Sequence, residues 1–285
     1  MNITTLKDKI HEVLAAARIV VQRHGHTKKY AKHIVALIVK QLKNGISDRE
    51  LAEFLSDNAI GRLLGYKKDF DFTIFSKVRK GANEIMSETY ELVVNQTMKG
   101  KQVRLIAQDS SDVSAHSQKD TDARFGHRTP SKKEQFARKI TEKEFVFGYK
   151  LHLTADAEVE LPLCFTTASA NRNDKTFFHE LYDAVKRRFT INYATKFLAD
   201  AQYDSTDVYQ ELHHDNVKPL IAINGRGHYK STIPKDPEYG KRWAIERIFS
   251  RLKEVFGFAK NRYVGIRRVR VHICACLLAY VIKYS

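Results

Sequence analysis

The chain has 285 residues, of which 43% are hydrophobic, so it can bury a core as one large domain or two smaller ones, which excludes a disordered tail. Lysine and arginine number 49 against 33 acidic residues, giving a formal net charge of +16. This excess points to a polyanionic partner, with nucleic acid as the first candidate and a basic ribosomal or membrane-surface protein as the alternative.

The sequence predicts neither secretion nor a membrane span. Its start, MNITTLKDKIHEVL, is charged and amphipathic, unlike a signal peptide. The apolar run over residues 271–282 contains a histidine and is too short to span a bilayer, so it predicts a core helix. Cys164, Cys274 and Cys276 form no CxxC pair and are expected to be buried free thiols. We therefore expect a cytoplasmic protein.

Residues 1–97 predict an all-helical N-terminal part. Apolar residues recur there at helical spacing, and Ser47 with Glu50 forms a capping box before the run LAEFL. A loop, GYKKDFD, separates this helix from a second helical run over residues 73–94. Short helices around a turn are compatible with a helix-turn-helix motif, and a plain helical packing domain is the alternative.

From residue 103 onward the pattern is that of an α/β fold. The segments QVRLIAQD and TKFLAD predict buried strands that end at Asp109 and Asp200. Two strands are predicted around a turn near residues 156–158, and one more in VKPLIAI. Residues 112–144 lack periodicity and predict a long loop. With the helices predicted between and after the strands, this order indicates a mixed sheet flanked by helices.

The two aspartates at the predicted strand ends are candidate site residues. Ligands of open sheets gather at strand ends, and a terminal carboxylate there can meet a donor or a cation. For Asp109 and Asp200 alike, a turn or helix-capping role is the alternative. Asp204 is the better predicted cap for the helix that follows Asp200.

The segment YGKRWAIERIFSRLK, residues 239–253, predicts an amphipathic helix with an unusual stripe. At about 100° per residue, four polar residues fall on one line beside the buried face. These are Tyr239, Arg242, Glu246 and Lys253. Such a position suits the rim of a cleft, and a solvated face with an Arg242–Glu246 pair is the alternative.

Three carboxylates from two strands and one helix suit a pair of divalent metal ions. Hard cations such as Mg²⁺ prefer oxygen ligands, and two of them can activate an attacking oxygen and stabilise a leaving oxygen on phosphate. The sequence contains no P-loop motif, so nucleotide hydrolysis of that kind is not supported.

These segments resemble the DDE transposases of bacterial and archaeal insertion sequences. The signature Tyr-x2-Arg-x3-Glu-x6-Lys of one group matches residues 239–253 without a gap. AQDSSD around Asp109 and LADAQYDS around Asp200 resemble the first and second acidic blocks, and FGYKLH resembles the strand region between them. Gln202 stands where the family commonly has glycine, which puts the turn after Asp200 in question.

The resemblance implies an RNase H-like catalytic domain over residues 98–285, preceded by the helical DNA-binding domain of residues 1–97. The implied catalytic and metal-binding residues are Asp109, Asp200 and Glu246. The implied cofactor is a pair of Mg²⁺ ions, which Mn²⁺ can replace. The expected DNA contacts are Tyr239, Arg242 and Lys253, together with Arg247 and Arg251 of the same helix.

The expected function is therefore transposition. The protein would bind the terminal inverted repeats of its element, cut DNA and join it to target DNA, as a homodimer in the synaptic complex. From residue 239 to the end there are eleven basic and two acidic residues, a net +9 that suits backbone phosphates and association with the nucleoid. An RNase H-like host nuclease and a transposase-derived DNA-binding protein without catalysis are the alternatives.

Overall fold

In a computed structural model the chain forms a group of N-terminal helices, then a sheet with helices around it. The structure describes residues 3–68, 70–128, 144–225 and 232–285. The helices of these ranges are α1 (Ile3–Arg23), α2 (Ala31–Leu42), α3 (Asp48–Asp57), α4 (Ala59–Leu64), α5 (Thr73–Gly81), α6 (Asn83–Thr97), α7 (Phe178–Arg188), α8 (Thr206–His214), α9 (Trp243–Val255) and α10 (Ile266–Tyr284). The strands are β1 (Leu105–Ser114), β2 (Arg124–Arg128), β3 (Glu144–Asp156), β4 (Leu161–Ser169), β5 (Lys196–Ala199) and β6 (Lys218–Ile221).

The strands form one six-stranded mixed sheet in the order β2-β3-β1-β5-β6, with β4 also paired to β3. β1 is antiparallel to β3 and parallel to β5, and β5 is parallel to β6. Parallel neighbours need a crossover connection, which α8 supplies between β5 and β6. Helix α7 packs on β3 and β4, and α9 packs on β1. The structure thus confirms the predicted mixed sheet flanked by helices.

Strand β1 extends further than predicted, so Asp109 lies in the middle of the strand and not at its end. The polar residues after Asp109 stay in the strand because β3 pairs with them as far as Ser114. On the other edge β5 pairs with β1 only as far as Ala107, opposite Leu198. The edge of β1 that faces β5 is therefore open at Asp109.

The long loop predicted over residues 112–144 contains a strand. β2 lies in it and pairs antiparallel with the first residues of β3. The sequence hides this strand because it lies in an exposed position: 65% of Phe125 is accessible to solvent, and no buried alternation marks the segment. Residues 129–143 of the predicted loop lie outside the described residues.

Capping residues and a glycine set the boundaries of α3, α5 and α6 in the N-terminal part. Ser47 Oγ accepts the N–H of Glu50 at 3.1 Å, and Glu50 Oε2 accepts the N–H of Ser47 at 2.6 Å, so the capping box is confirmed. The helical run predicted over residues 73–94 is divided at Ala82, where ψ is near 0°. The division follows Gly81, a poor helix former, so α5 and α6 are separate helices.

Helix α10 is the central helix of the molecule. From Val271 to Ile282 every residue is buried, which confirms the core helix predicted there. The helix packs on α2 and α6 of the N-terminal part and on β4 of the sheet, within one continuous hydrophobic core. A helix that is apolar on all sides needs neighbours all round, and α10 obtains them from both parts of the chain.

One expectation about the chain's chemistry is met by the packing. The three cysteines are free and buried, as predicted. In the part of the chain that the structure describes, no helix combines the length and apolar character needed to cross a membrane. The division of the chain at residues 97 and 98 into two domains stays a prediction.

Candidate catalytic site

Asp109 and Asp200 lie side by side because of the pairing of β1 with β5. Ala107 and Leu198 are the last paired residues, and each aspartate comes two residues later, Asp109 within β1 and Asp200 directly after β5. Asp109 Oδ1 accepts the N–H of Ser110 at 2.7 Å. The structure therefore brings together the two aspartates that the sequence placed at strand ends.

Asp200 also caps the 3₁₀ turn that follows β5. Its Oδ1 accepts the N–H of Gln202 at 2.9 Å, which leaves its second carboxylate oxygen for a ligand. Gln202 does not adopt a positive φ, so the turn does not require the glycine common in the family. The expectation that Asp204 caps the next helix is wrong, because Ser205 is the N-cap residue and Asp204 accepts the N–H of Asn224.

The signature segment starts as a 3₁₀ turn and not as the continuous α-helix that was predicted. The turn spans Pro237–Arg242 and begins at Asp236, whose side chain accepts the N–H of Glu238 at 3.0 Å. Proline in the first turn favours a tight start, since it has no N–H to place. Side chains three residues apart eclipse in a 3₁₀ turn, so Tyr239 and Arg242 still share one side.

Arg242 connects the helix with the sheet. Its guanidinium is 2.5 Å from Glu246 Oε1 and 3.7 Å from Asp109 Oδ2, with 16% of the side chain exposed. The neighbouring Trp243 is 58% exposed, and its ring lies 5.8 Å from the Arg242 guanidinium carbon. The four groups Asp109, Asp200, Arg242 and Glu246 thus form one cluster, which we call the acidic cluster.

The electrostatics of the acidic cluster favour a cation. Burial, and then the negative charge of Asp200, raises the pKa of Asp109 to about 7, although the Ser110 N–H and Arg242 act in the opposite direction. Burial also raises the pKa of Asp200, with Asp174 and Glu246 adding to the rise. Two carboxylates that disfavour each other's ionisation gain when a positive charge comes between them.

The other predicted contact residues lie at increasing distance from this cluster. The Tyr239 hydroxyl donates to the carbonyl of Ala199 at 3.3 Å and so holds the turn against the end of β5. Lys253 lies exposed near the end of α9, about 10 Å along the helix from Glu246. Arg247 and Arg251 are outside the cluster and both form ion pairs with a single acid.

That acid is Glu160, in the turn between β3 and β4. Its two oxygens lie 2.6 Å from the Arg247 and Arg251 guanidinium groups. In this structure both arginines are paired with Glu160. Their expected contacts with DNA stay predictions.

The structure adds three residues that the sequence interpretation missed. Asp174 is 5% exposed and pairs with Lys150 Nζ at 2.9 Å. The buried His152 has Nδ1 3.5 Å from the same carboxylate oxygen and a ring stacked on Phe177. The charge of Asp174 raises the pKa of Asp109 and of Asp200, so it acts on the acidic cluster. The segment FGYKLH contained the signal, since Lys150 and His152 alternate there with apolar residues.

Asp109 and Asp200 have the chemistry of a divalent metal site. They supply hard carboxylate oxygens at one place, and burial and neighbouring carboxylates raise the pKa of both despite the charge of Arg242, so a further cation would be favourable there. Within the described ranges no group of three or more His, Cys, Asp or Glu side chains is arranged to hold a metal ion. Glu246 is outside such a set because Arg242 holds it. The residues therefore fit Mg²⁺ or Mn²⁺ at the aspartate pair, with Glu246 able to join after leaving Arg242.

Comparison with known proteins assigns the fold and the family. The family model described as "Transposase DDE domain" matches residues 101–282. No curated protein matches the sequence significantly. Among solved structures the chain is similar to a piggyBac transposase in a synaptic complex with hairpin DNA, with a TM-score of 0.50 and 10% identity. The match covers 90% of this chain and 66% of that one.

At this identity the structural likeness shows the fold alone, and it confirms the predicted RNase H-like class with N-terminal helices. The family model spans well over half of the sequence and includes Asp109, Asp200 and Glu246. The chain therefore belongs to the family of DDE transposase domains.

Proposed function

We propose that the protein is the transposase of an insertion sequence, which binds the terminal inverted repeats of its element and catalyses metal-dependent strand cleavage and strand transfer. The observation that carries the proposal is the acidic cluster, which lies inside a DDE transposase domain. Asp109, Asp200 and Glu246 are the proposed catalytic residues.

The proposed cofactor is a pair of Mg²⁺ ions, with Mn²⁺ as a substitute. Asp109 and Asp200 would hold them, and Glu246 would complete the site. When bound, such ions activate the attacking oxygen and stabilise the leaving oxygen of a phosphodiester. The raised pKa values of the two aspartates support this assignment, because the site gains from a positive charge.

Arg242 has a double role in this proposal. Its planar guanidinium can bind a phosphate through two parallel hydrogen bonds. Since Arg242 pairs with Glu246 in this structure, a phosphate that takes the guanidinium leaves the Glu246 carboxylate free to turn toward Asp109 and Asp200. Arrival of DNA would thereby complete the catalytic site.

The remaining residues of α9 and its 3₁₀ turn would follow the DNA backbone. Tyr239 orients the turn through Ala199, and its hydroxyl lies beside Arg242, where both can contact DNA. Lys253 would act as a point charge on a phosphate. Arg247 and Arg251 are proposed as outer contacts, where phosphate competes with Glu160 for their guanidinium groups.

The proposed partners are the double-stranded ends of the element and the target DNA. The printed description of the similar piggyBac structure names a synaptic complex with hairpin DNA. By analogy with that assembly, we propose a homodimer that holds two ends, with the N-terminal helices recognising their sequence. The net charge of +16 supports residence on the nucleoid.

Substitution of the three acids tests the proposal. Asp109→Asn, Asp200→Asn and Glu246→Gln keep the shape of each side chain and remove its charge. We expect each variant to bind a terminal-repeat duplex with about the parent's affinity and to cleave it at least 100-fold more slowly in Mg²⁺. Cleavage at the parent's rate by any one of them would remove that residue from the catalytic set.

The same assay separates the two alternative functions. Joined products with a duplicated target sequence exclude a host nuclease that only cuts. Metal-dependent cleavage by the parent excludes a DNA-binding protein that has lost catalysis. Terminal inverted repeats that flank the gene, bounded by short direct repeats, would independently establish that it is a mobile element.

A further inference from the structure

A second strongly basic site lies between the N-terminal helices and the loop that joins α9 to α10. It is a cavity of about 410 Å³, which we call the basic pocket. Its lining residues come from α2, the start of α3, α5, the α9–α10 loop and α10. They are Lys40, Ser47, Asp48, Ser76, Arg79, Lys80, Arg262, Tyr263, Val264 and Arg268.

Two buried cations share one carboxylate at the base of the pocket. Arg79, which is 4% exposed, binds both oxygens of Asp48 at 2.7 and 2.9 Å. Lys40, which is 6% exposed, lies 2.6 Å from Asp48 Oδ1 and 3.0 Å from the hydroxyl of Tyr263. Burial alone would raise the pKa of Asp48, but the charges and hydrogen bonds of Arg79 and Lys40 lower it.

The lining of the pocket has an excess of positive charge. It has five basic residues and one acid, a net +4. Among the described residues, no carboxylate lies within ion-pairing distance of Lys80, Arg262 or Arg268. Glu50 lies near enough to Arg262 for that charge to lower the Glu50 pKa, and Asp122 lines an adjoining cavity with Lys80 and Arg268, so the compensation is partial. Cations gathered in a partly enclosed site favour the entry of an anion. The pocket therefore has the charge and the volume to take a phosphate group.

The α9–α10 loop that lines the pocket is bonded to β1, the strand that carries Asp109. Asn261 of the α9–α10 loop donates to the carbonyl of Ser114, the last residue of β1. Gly265 of the same loop donates to Asp120 Oδ2 at 3.0 Å. From Asp109 to Ser114 the strand extends about 17 Å, so the loop is attached to β1 about half a helical turn of DNA along the strand from Asp109.

We propose that the basic pocket binds a backbone phosphate of the duplex DNA that the protein cuts, away from the phosphodiester at the acidic cluster. Arg79 and Lys40 form its fixed base, and Lys80, Arg262 and Arg268 at its mouth contact the phosphate. The pocket belongs to both the N-terminal helices and the C-terminal part, so one phosphate contact would fix the two relative to the DNA. This inference rests on the proposed function, since it takes DNA as the substrate.

The test neutralises the mouth of the pocket and leaves its buried base intact. The variant Lys80→Gln/Arg262→Gln/Arg268→Gln changes side chains that are exposed or half-buried, so it is expected to fold. Binding of a labelled duplex of about three helical turns is measured at several salt concentrations. We expect the slope of log affinity against log salt to fall in magnitude by about 1, as for the loss of one phosphate contact, and affinity in low salt to fall at least tenfold.

A matched control removes the same charge from α1, which contributes no residue to the pocket lining. Lys7→Gln/Arg18→Gln/Arg23→Gln changes three cations of α1 that are exposed or half-buried. The proposal expects a clearly smaller change in slope for this control, and equal changes in both variants would overturn it. Thermal unfolding with inorganic phosphate is the second arm. A pocket variant that loses stabilisation by phosphate, yet binds the duplex as the parent does, would show a site for free phosphate and overturn the DNA assignment.

The result can be separated from the outcome for catalysis. If the parent cleaves DNA and the pocket variant binds and cleaves like the parent, the pocket inference fails and the proposed function stands. If the parent binds DNA without cutting it, and the pocket variant loses that binding, the inference stands and the proposed catalysis fails.

Discussion

At the scale of single residues, Arg242 connects Glu246 of α9 with Asp109 of β1. Asp109, Asp200 and Glu246 could be selected because each lies in a recognisable local segment. The bridge formed by Arg242 depends on a 3₁₀ turn and on the pairing of β1 with β5, which no local pattern reports. Asp174 is missed for the same reason. It pairs with Lys150, which lies on a strand distant in sequence, so no local pattern indicates the contact.

Asp109 should destabilise the metal-free protein at neutral and alkaline pH. Its pKa is raised from 3.8 to about 7, so the folded state favours the protonated form. Relative to high pH, protonation of Asp109 stabilises the folded state. This stabilisation is fully present below pH 4 and is lost as the pH rises through 7. We expect Asp109→Asn, in EDTA at pH 8, to have a free energy of unfolding higher than the parent's by about 2 kcal/mol.

Denaturant unfolding at pH 8 and pH 5 checks this expectation. The advantage of Asp109→Asn should shrink at pH 5, where the parent's carboxyl is already protonated. The exposed change Asp8→Asn on α1 serves as a control and should show no such pH-dependent gain. An Asp109→Asn variant that is less stable than the parent at pH 8 would contradict the assigned burial and repulsion.

At the scale of elements, strands and helices with a buried face are predictable and exposed ones are not. β1, β3, β4 and β5 carry buried apolar runs, so the sequence placed them within a few residues. β2 has no buried face to reveal it, and α5 separates from α6 at a glycine inside one apparent helical run. The β1 extension past Asp109 depends on pairing with β3, which is a property of the sheet and not of the segment.

The contact between two loops gives a prediction at this scale. Gly257, after α9, has a φ of +66°, and a Cβ added there would lie 2.8 Å from the Cα of Gly45 in the α2–α3 connection. The atoms nearest to the added Cβ belong to the backbone of Asn44 and Gly45. They cannot move aside without shifting the connection between α2 and α3. We expect Gly257→Ala to lower the free energy of unfolding by about 2–4 kcal/mol, through strain at positive φ and overpacking.

Gly100→Ala is the matched control for Gly257→Ala. Gly100 also has a positive φ, +74°, but no atom lies within 4 Å of its added Cβ. This change should therefore cost only the conformational strain, about 1 kcal/mol in urea unfolding. Equal losses in the two variants would show that the loops are not in close contact.

At the scale of the whole molecule, the sequence indicates a helical part and an α/β part but not how they share a core. Helix α10 lies at the end of the chain and fills the space between α2 and α6, while it also packs on β4. Because apolar residues lie on all sides of α10, the sequence predicts that the helix is buried. It does not indicate which elements pack against it. The global charge of +16 likewise indicates DNA, whereas the basic pocket appears only when distant segments meet.

The shared core predicts that residues 1–97 do not fold stably alone. Without α10, the buried faces of α2 and α6 lose their main neighbour. We expect a fragment of residues 1–97 to melt at least 15 °C below the full chain by circular dichroism, with little cooperativity. The same fragment joined to residues 266–285 by a flexible linker should regain cooperative melting. A fragment of residues 1–97 that melts like the full chain would refute this prediction.

The place of α10 in the core also bears on how the protein is made. During synthesis the N-terminal helices leave the ribosome long before residues 266–284, so their apolar faces stay exposed until that segment is made. A nascent chain that has reached residue 265 has every acid of the acidic cluster but an unfinished core. The core shared by the N-terminal helices and the sheet would thus close only once residues 266–284 have been translated.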